Sequence, residues 1–108
     1  MDIFKVSAQS RTTSVAGAIA GVIREGSVAR LQAIGAGAVN QAVKAVIFAR
    51  AYLANDNIAI VCVPSFVDLD MEGQQRTAIR LTVQTPEQPL PPVTAWPPAT
   101  EGEKDTGQ

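Results

Sequence analysis

The chain has 108 residues, of which 46% are hydrophobic, 18% are charged and 5% are aromatic. This length suits one domain, and this composition favours a globular core of Val, Ile, Leu and Ala over a disordered chain. The sequence contains no histidine and one cysteine, Cys62. A Ser-His or Cys-His nucleophile, a histidine metal ligand and an internal disulfide are therefore excluded.

The charge is unevenly distributed along the chain. Residues 1–85 carry eight basic and six acidic side chains, a net charge of +2, whereas residues 86–108 carry one basic and four acidic ones, a net charge of −3. The first part is mildly basic, far below the charge density of a strong DNA binder. No apolar run reaches the roughly 20 residues that span a bilayer, and no signal-peptide pattern is present. With a lone cysteine, expected to be a small buried hydrophobe, we expect a cytoplasmic protein without membrane insertion.

The first half of the chain reads as a strand, a helix, a strand and a second helix. The predicted ranges are 2–8 for the first strand, about 14–25 for the first helix, 28–34 for the second strand, and 36 or 37 to 53 for the second helix. Thr13 or Ser14 is the predicted N-cap, and Gly26 is placed to follow the C-terminus of the first helix. Gly17 and Gly21 leave one face of that helix thin, which predicts close packing of another element there.

The second helix carries alanines at helical spacing, which permits tight packing against another helix. They are Ala38, Ala42, Ala45 and Ala49. A turn is predicted at 55–57.

The rest of the ordered part reads as two strands joined by a hairpin. The continuous β-branched run 58–63 is typical of a strand buried on both faces. Pro64 predicts that this strand is at an edge or bulges there, because proline cannot donate to a ladder. The strand resumes over 66–71, Glu72-Gly73 is a hairpin turn signal, and 75–84 alternates as the final strand.

The predicted order is β-α-β-α-β-β, an α/β (α+β) two-layer sandwich with a long C-terminal hairpin, over residues 1–85. Residues 86–108 are rich in proline and then acidic. This composition predicts a disordered tail, and the alternative is a docking segment for a protein partner anchored by Trp96.

Two motifs invite a chemical interpretation. Asp68, Asp70 and Glu72 share one face of a strand and could hold a hard cation, although solvated hairpin charges are the ordinary explanation. The run 35–40, Gly-Ala-Gly-Ala-Val-Asn, follows a strand and opens a helix, like the start of a dinucleotide-binding fingerprint. It lacks the third glycine and an acidic residue at a strand end about 20 residues on. The alternatives are structural glycines in a tight turn and a phosphate contact to a polynucleotide.

Four segments of the sequence closely resemble the stage V sporulation protein S (SpoVS) family. They are Lys5-Val6-Ser7-Ala8, Ser14-Val15-Ala16-Gly17-Ala18, the run 32–45 (QAIGAGAVNQAVKA) and Arg76-Thr77-Ala78-Ile79. That family is similar to the Alba chromatin proteins, which share the β-α-β-α-β-β order and are dimers that bind DNA or RNA. The resemblance therefore implies an Alba-like fold, a bacterial homodimer or higher homo-oligomer, a link to sporulation and septation, and nucleic-acid binding.

The resemblance also implies which residues contact nucleic acid. The loop 9–12 after the first strand would meet the phosphate backbone, beside the turn and helix start at 35–44, and the hairpin arms would reach along a groove. The implied contact residues are Arg11, Gly35, Gly37, Asn40, Lys44, Arg76 and Arg80.

Two functions follow from these observations. The first is a small, dimeric, nucleic-acid-binding regulator without enzymatic activity, catalytic residues, cofactor or metal. The second is a self-assembling structural or adaptor protein in cell development, favoured by the thin helix faces, the low charge and the proline-rich tail.

Overall fold

The computed structural model describes residues 2–90. Its six elements confirm the predicted order β-α-β-α-β-β. They are β1 (Asp2–Val6), α1 (Thr12–Arg24), β2 (Ala29–Ala33), α2 (Ala36–Ala54), β3 (Val61–Met71) and β4 (Gln74–Gln84). Most of the proposed tail, including Trp96, lies outside the described residues.

The four strands form one mixed sheet in the order β1-β2-β4-β3. β1 and β2 are parallel, β4 is antiparallel to β2, and β3 is antiparallel to β4. Residues of β2 alternate between buried and half-buried, because α1 and α2 cover only one face of the sheet. The fold is therefore the predicted two-layer α+β sandwich, and one sheet face is free of helices.

Small side chains dominate the core between the two layers. Eight of the seventeen buried residues that form this core in the described part of the chain are alanines. Four of them are the predicted α2 alanines, and α2 packs against α1. Alanine lets two backbones approach closely because its side chain occupies little volume beyond Cβ. The predicted use of these alanines is confirmed.

A two-residue turn joins β3 to β4, as predicted. Met71 pairs with Gln74, and the two intervening residues have positive φ, +54° at Glu72 and +80° at Gly73. Two successive positive φ angles match the right-handed twist of the strands. The last five residues of β3 and the first five of β4 extend beyond the part of β4 that pairs with β2, so they form a projecting hairpin arm.

The prediction that 58–63 is a strand buried on both faces is wrong. The strand begins only at Val61, and Cys62 and Val63 are exposed. β3 is the edge strand of the sheet, away from the helices, so its side chains stay in contact with solvent. Ile60 is buried and therefore contributes to the core from the preceding loop. The pairing of Pro64 with Leu81 is in register, so proline marks an edge here and not a bulge.

Two expectations about α1 are also wrong. The helix begins at Thr12 with Arg11 as N-cap and has no side-chain cap. The preceding turn explains the earlier start, because the hydroxyl of Ser10 accepts a hydrogen bond from the Ser7 amide at 2.8 Å and closes the loop. A Cβ at Gly17 or Gly21 would meet nothing within 4 Å, so close packing does not explain these glycines within the described chain.

The C-terminus of α1 behaves as predicted. Gly26 has a φ of +79°. Its amide donates to the Ile23 carbonyl at 2.9 Å, and the Ser27 amide donates to the Val22 carbonyl at 3.1 Å. This pair of bonds is a Schellman motif, which satisfies two carbonyls at the helix end.

Candidate nucleic-acid interface

The loop after β1 lies against the start of α2. The side-chain amide of Gln41 donates to the Ser10 carbonyl at 2.9 Å. A Cβ at Gly37 would lie 3.0 Å from the Cβ of Ala8. The predicted juxtaposition of the first loop and the second helix start is therefore confirmed, and Arg11 lies in this loop as an exposed side chain.

The two glycines at the start of α2 serve different purposes. Gly35 is the N-cap and has φ +91° and ψ 158°, a conformation almost confined to glycine. Gly37 has ordinary helical φ, and glycine is favoured there by the close approach of Ala8. No side chain caps this helix start. The backbone geometry therefore accounts for both glycines without a ligand.

Gly35 and Asn40 line an apolar groove between α2 and the hairpin. The groove measures about 580 Å³. Its apolar lining comes chiefly from Val39, Val43, Phe66 and Ile79. Phe66 is 79% exposed and Val43 is 43% exposed, so the described chain leaves this groove largely uncovered. Among the residues that the structure describes, no charged side chain lines it.

The helix-free face of the sheet carries a different set of residues. Arg80 pairs with Gln32 across β4 and β2, and its Nη2 donates to the Gln32 Oε1 at 2.9 Å. Lys5 pairs with Gln32 from the other side, and Arg30 lies two residues before Gln32 on the same strand. Directly paired and alternate residues share a face. We call Lys5, Arg30, Gln32 and Arg80, with Thr82 and Ser65, the open sheet face.

Arg76 is four residues before Arg80 on β4, so both side chains are on the same side of that strand. Arg76 itself is on the hairpin arm. Lys44, in contrast, is exposed on α2, in the helix layer. The seven predicted contact residues therefore do not form one cluster. Arg11 is in the first loop, and Gly37 faces Ala8 of the same loop. Gly35 and Asn40 line the apolar groove, Lys44 is on the outer side of α2, and Arg76 and Arg80 are on the sheet side.

Two cations on the open sheet face, Lys5 and Arg30, were not among the predicted site residues. Their signal was present in the sequence, because the alternation that buries Ala29, Leu31 and Ala33 places Arg30 and Gln32 on the opposite face. What the sequence did not contain was the pairing of β4 with β2. That pairing brings Arg80 beside them.

The cations of the described chain are largely without ion pairs. Residues 3–90 contain eight basic side chains, and within that range Arg24 alone forms an ion pair, to Asp56 at 2.8 Å. Arg30 and Arg80 are diagonal neighbours across two strands, roughly 7–8 Å apart. Like charges at that separation repel by about 0.6 kcal/mol even in a medium like water. The cluster therefore costs some stability.

The acidic residues of the hairpin arm show a local role. The carboxylate of Asp68 accepts a hydrogen bond from the Thr77 hydroxyl at 3.1 Å across the hairpin. Within residues 2–90, no three acidic, cysteine or histidine side chains come close enough to hold a metal ion. The exposed Cys62 thiol is partly desolvated, which raises its pKa above the ordinary value.

These features define a small α+β domain with two helices on one side of a four-stranded sheet and a cluster of cations on the other. The family model for stage V sporulation protein S matches residues 2–86, so the chain belongs to the stage V sporulation protein S family. The resemblance seen in the sequence is thus confirmed. Among solved structures the chain is similar to Alba from Thermoplasma volcanium, at 14% identity over 76% of this chain and 95% of that chain, with a TM-score of 0.49.

Neither helix of the described residues combines the length and the hydropathy needed to cross a bilayer.

Proposed function

We propose that this protein is a non-enzymatic, homodimeric regulator that binds nucleic acid in the cytoplasm, in a process linked to sporulation. The observation that supports binding is the set of cations without carboxylate partners: seven of the eight basic side chains in residues 3–90 form no ion pair within that range. Binding is favourable when such side chains neutralise phosphates, because counterions condensed on the nucleic acid are then released. The family membership supplies the link to sporulation.

The proposed phosphate contacts come from two regions. Arg11 and Lys44, with the amide of Gly37, act from the loop and helix side. Arg76 and Arg80 act from the hairpin and the adjoining sheet. Four cations per protomer predict weak binding, without sequence preference, that falls steeply with salt.

Self-association is proposed to use the apolar groove, with a second copy of this chain as its occupant. Val43, Ile47 and Phe66 are exposed by 43%, 60% and 79%, and monomers rarely leave large contiguous apolar patches in water. The uncharged lining favours a self-complementary contact about a two-fold axis, in which each groove meets the same surface of its partner. Gly35 and Asn40 then belong to the subunit contact and not to the phosphate contact.

Fluorescence anisotropy with labelled oligonucleotides tests the binding. The probes are single strands and a duplex of about 20 nucleotides, titrated from about 50 to 300 mM salt. Four contacts predict a slope of log K against log salt of about −3 to −4 for the protomer, and a dimer bound through both protomers steepens it. Failure of every probe to bind at about 50 mM salt, or a slope near zero, contradicts the proposal.

The exposed apolar groove also supports the second candidate, a self-assembling structural or adaptor protein. Two measurements separate the candidates: retention on heparin or DNA near physiological salt, and light scattering. Large assemblies without retention favour the structural role. Retention by particles of dimer mass favours the nucleic-acid role.

A further inference from the structure

We propose that the open sheet face, through Lys5, Arg30 and Arg80, is the principal site for the phosphodiester backbone of a bound nucleic acid. This inference rests on the proposed function. It assigns the contact to a surface and to two residues, Lys5 and Arg30, that the family resemblance does not indicate.

The register of the sheet gathers these cations from three adjacent strands. Lys5 of β1 and Arg80 of β4 both pair with Gln32 of β2. Neighbouring strands are about 4.8 Å apart and alternate residues about 6.7 Å apart. The three Cα atoms therefore lie within roughly 10 Å of each other, close enough for adjacent phosphates of one strand to meet different cations.

Arg80 is held by a hydrogen bond, but its charge has no anionic partner within residues 3–90. Its Nη2 donates to the neutral side-chain oxygen of Gln32 at 2.9 Å. Its Nε is buried and has no hydrogen-bond acceptor among the described residues. A guanidinium with only a neutral acceptor favours an anion, because hydrogen bonds to charged oxygens are stronger. Gln32 thus orients Arg80 while leaving its charge available.

The strands place no acidic residue on the open sheet face. Along β3, Asp68 and Asp70 alternate to the same side as Phe66, whereas Val63 and Ser65 are on the side of the cations. A cleft of about 430 Å³ adjoins the face at the end of β1, and Lys5 lines it together with Asp70. Gln32 lines the same cleft, so Asp70 lies on the side of the face that carries Lys5 and Gln32. Within residues 3–90, the strand positions paired with Arg30, which are Ile3 and Thr82, carry no carboxylate.

The side chains of this face suit the phosphodiester backbone of a nucleic acid and not its bases. The strand positions on it include no Phe, Tyr or Trp, so bases find no aromatic ring to stack on. Exposed aliphatic side chains, Ile3 and Val63, flank the cations. We expect binding that depends on phosphate charge and does not depend on base sequence.

The test compares three double variants of the full chain with the wild type by fluorescence anisotropy. Lys5→Gln/Arg30→Gln removes two cations from the open sheet face, and neither side chain forms a hydrogen bond or ion pair within residues 2–90. Arg11→Gln/Lys44→Gln removes two from the loop and helix side. Arg24→Gln/Arg50→Gln is the matched control for net charge, because it also removes two cations, both exposed and outside the proposed contacts.

We expect the Lys5/Arg30 variant to lower the salt slope by about 1.4 on single strands and the affinity by roughly 25-fold near 0.1 M salt. The control variant should change affinity by less than about three-fold, since distant charges are screened. The loss should be equal for oligo(dT), oligo(rU) and a mixed sequence. Circular dichroism and urea unfolding of each variant establish that it is folded, and Lys5→Gln alone serves if the double variant is not.

Three outcomes overturn the inference. A larger loss in the Arg11/Lys44 variant than in the Lys5/Arg30 variant moves the contact to the loop and leaves the proposed function intact. Equal losses in all three variants show an effect of net charge only. Absence of binding by the wild type overturns the proposed function together with this inference.

Discussion

Phe66→Ser should dissociate the homodimer while leaving the protomer folded. Phe66 is 79% exposed in the protomer, and fully burying such a side chain contributes about 1.5–3 kcal/mol. A two-fold contact contains the residue twice, so its loss should cost roughly 2–5 kcal/mol per dimer. That corresponds to an increase in Kd of about 30- to 5,000-fold.

Sedimentation velocity over a range of protein concentrations measures this change directly. Val63→Ser is the matched control, because Val63 is on the same strand, is 52% exposed and faces the opposite side of the sheet. It should leave the dimer unchanged. A Phe66→Ser protein that keeps the wild-type mass at every concentration, or a Val63→Ser protein that dissociates equally, refutes the assignment of the groove. A wild type that sediments as a monomer refutes self-association itself.

Further predictions concern Gly35 at the start of α2, Gly21 within α1, and the acidic residues after Leu90. Gly35→Ala should lower the free energy of unfolding by about 1–3 kcal/mol, because φ +91° strains any residue with a Cβ. Gly21→Ala should raise it by about 0.5–1 kcal/mol, because the site is helical and open; urea midpoints that shift in the same direction contradict this pair. Truncation after Leu90 removes three acidic side chains and one basic one, so oligonucleotide affinity should rise a few-fold at low salt and converge with the wild type at high salt, where charges are screened. Unchanged affinity at low salt shows that those charges do not act on the binding surface.

Local signals in the sequence predicted several features correctly. Glu72-Gly73 specified the hairpin turn, because two adjacent residues that tolerate positive φ fit a two-residue connection. Gly26 specified the end of α1 for a related reason, since the helix terminates in a left-handed residue. The alanine spacing of α2 specified the face that packs in the core. Each of these features depends on residues within a few positions of one another.

The wrong predictions concern burial and packing that depend on segments distant from one another in the sequence. The β-branched run 58–63 has the composition of a buried strand, but β4 lies between β3 and β2, which leaves Cys62 at the edge. Gly17 and Gly21 are typical of a close helix contact, yet α1 turns its buried alanines, Ala16 and Ala20, toward the core. Hydrophobicity alone does not determine which element of the fold packs against a given face of a helix or strand.

The sequence by itself determined the order of the elements, the two-residue turn between β3 and β4, the alanine face of α2 and the family. Only the tertiary structure decided which residues share a surface. Strand alternation divides side chains into two sets, but the helices determine which set is covered, and the pairing of β4 with β2 determines that Arg80 joins Lys5 and Arg30. These pairings join residues up to 54 positions apart, from Ala29 to Val83, so no local pattern of charge or hydropathy encodes them.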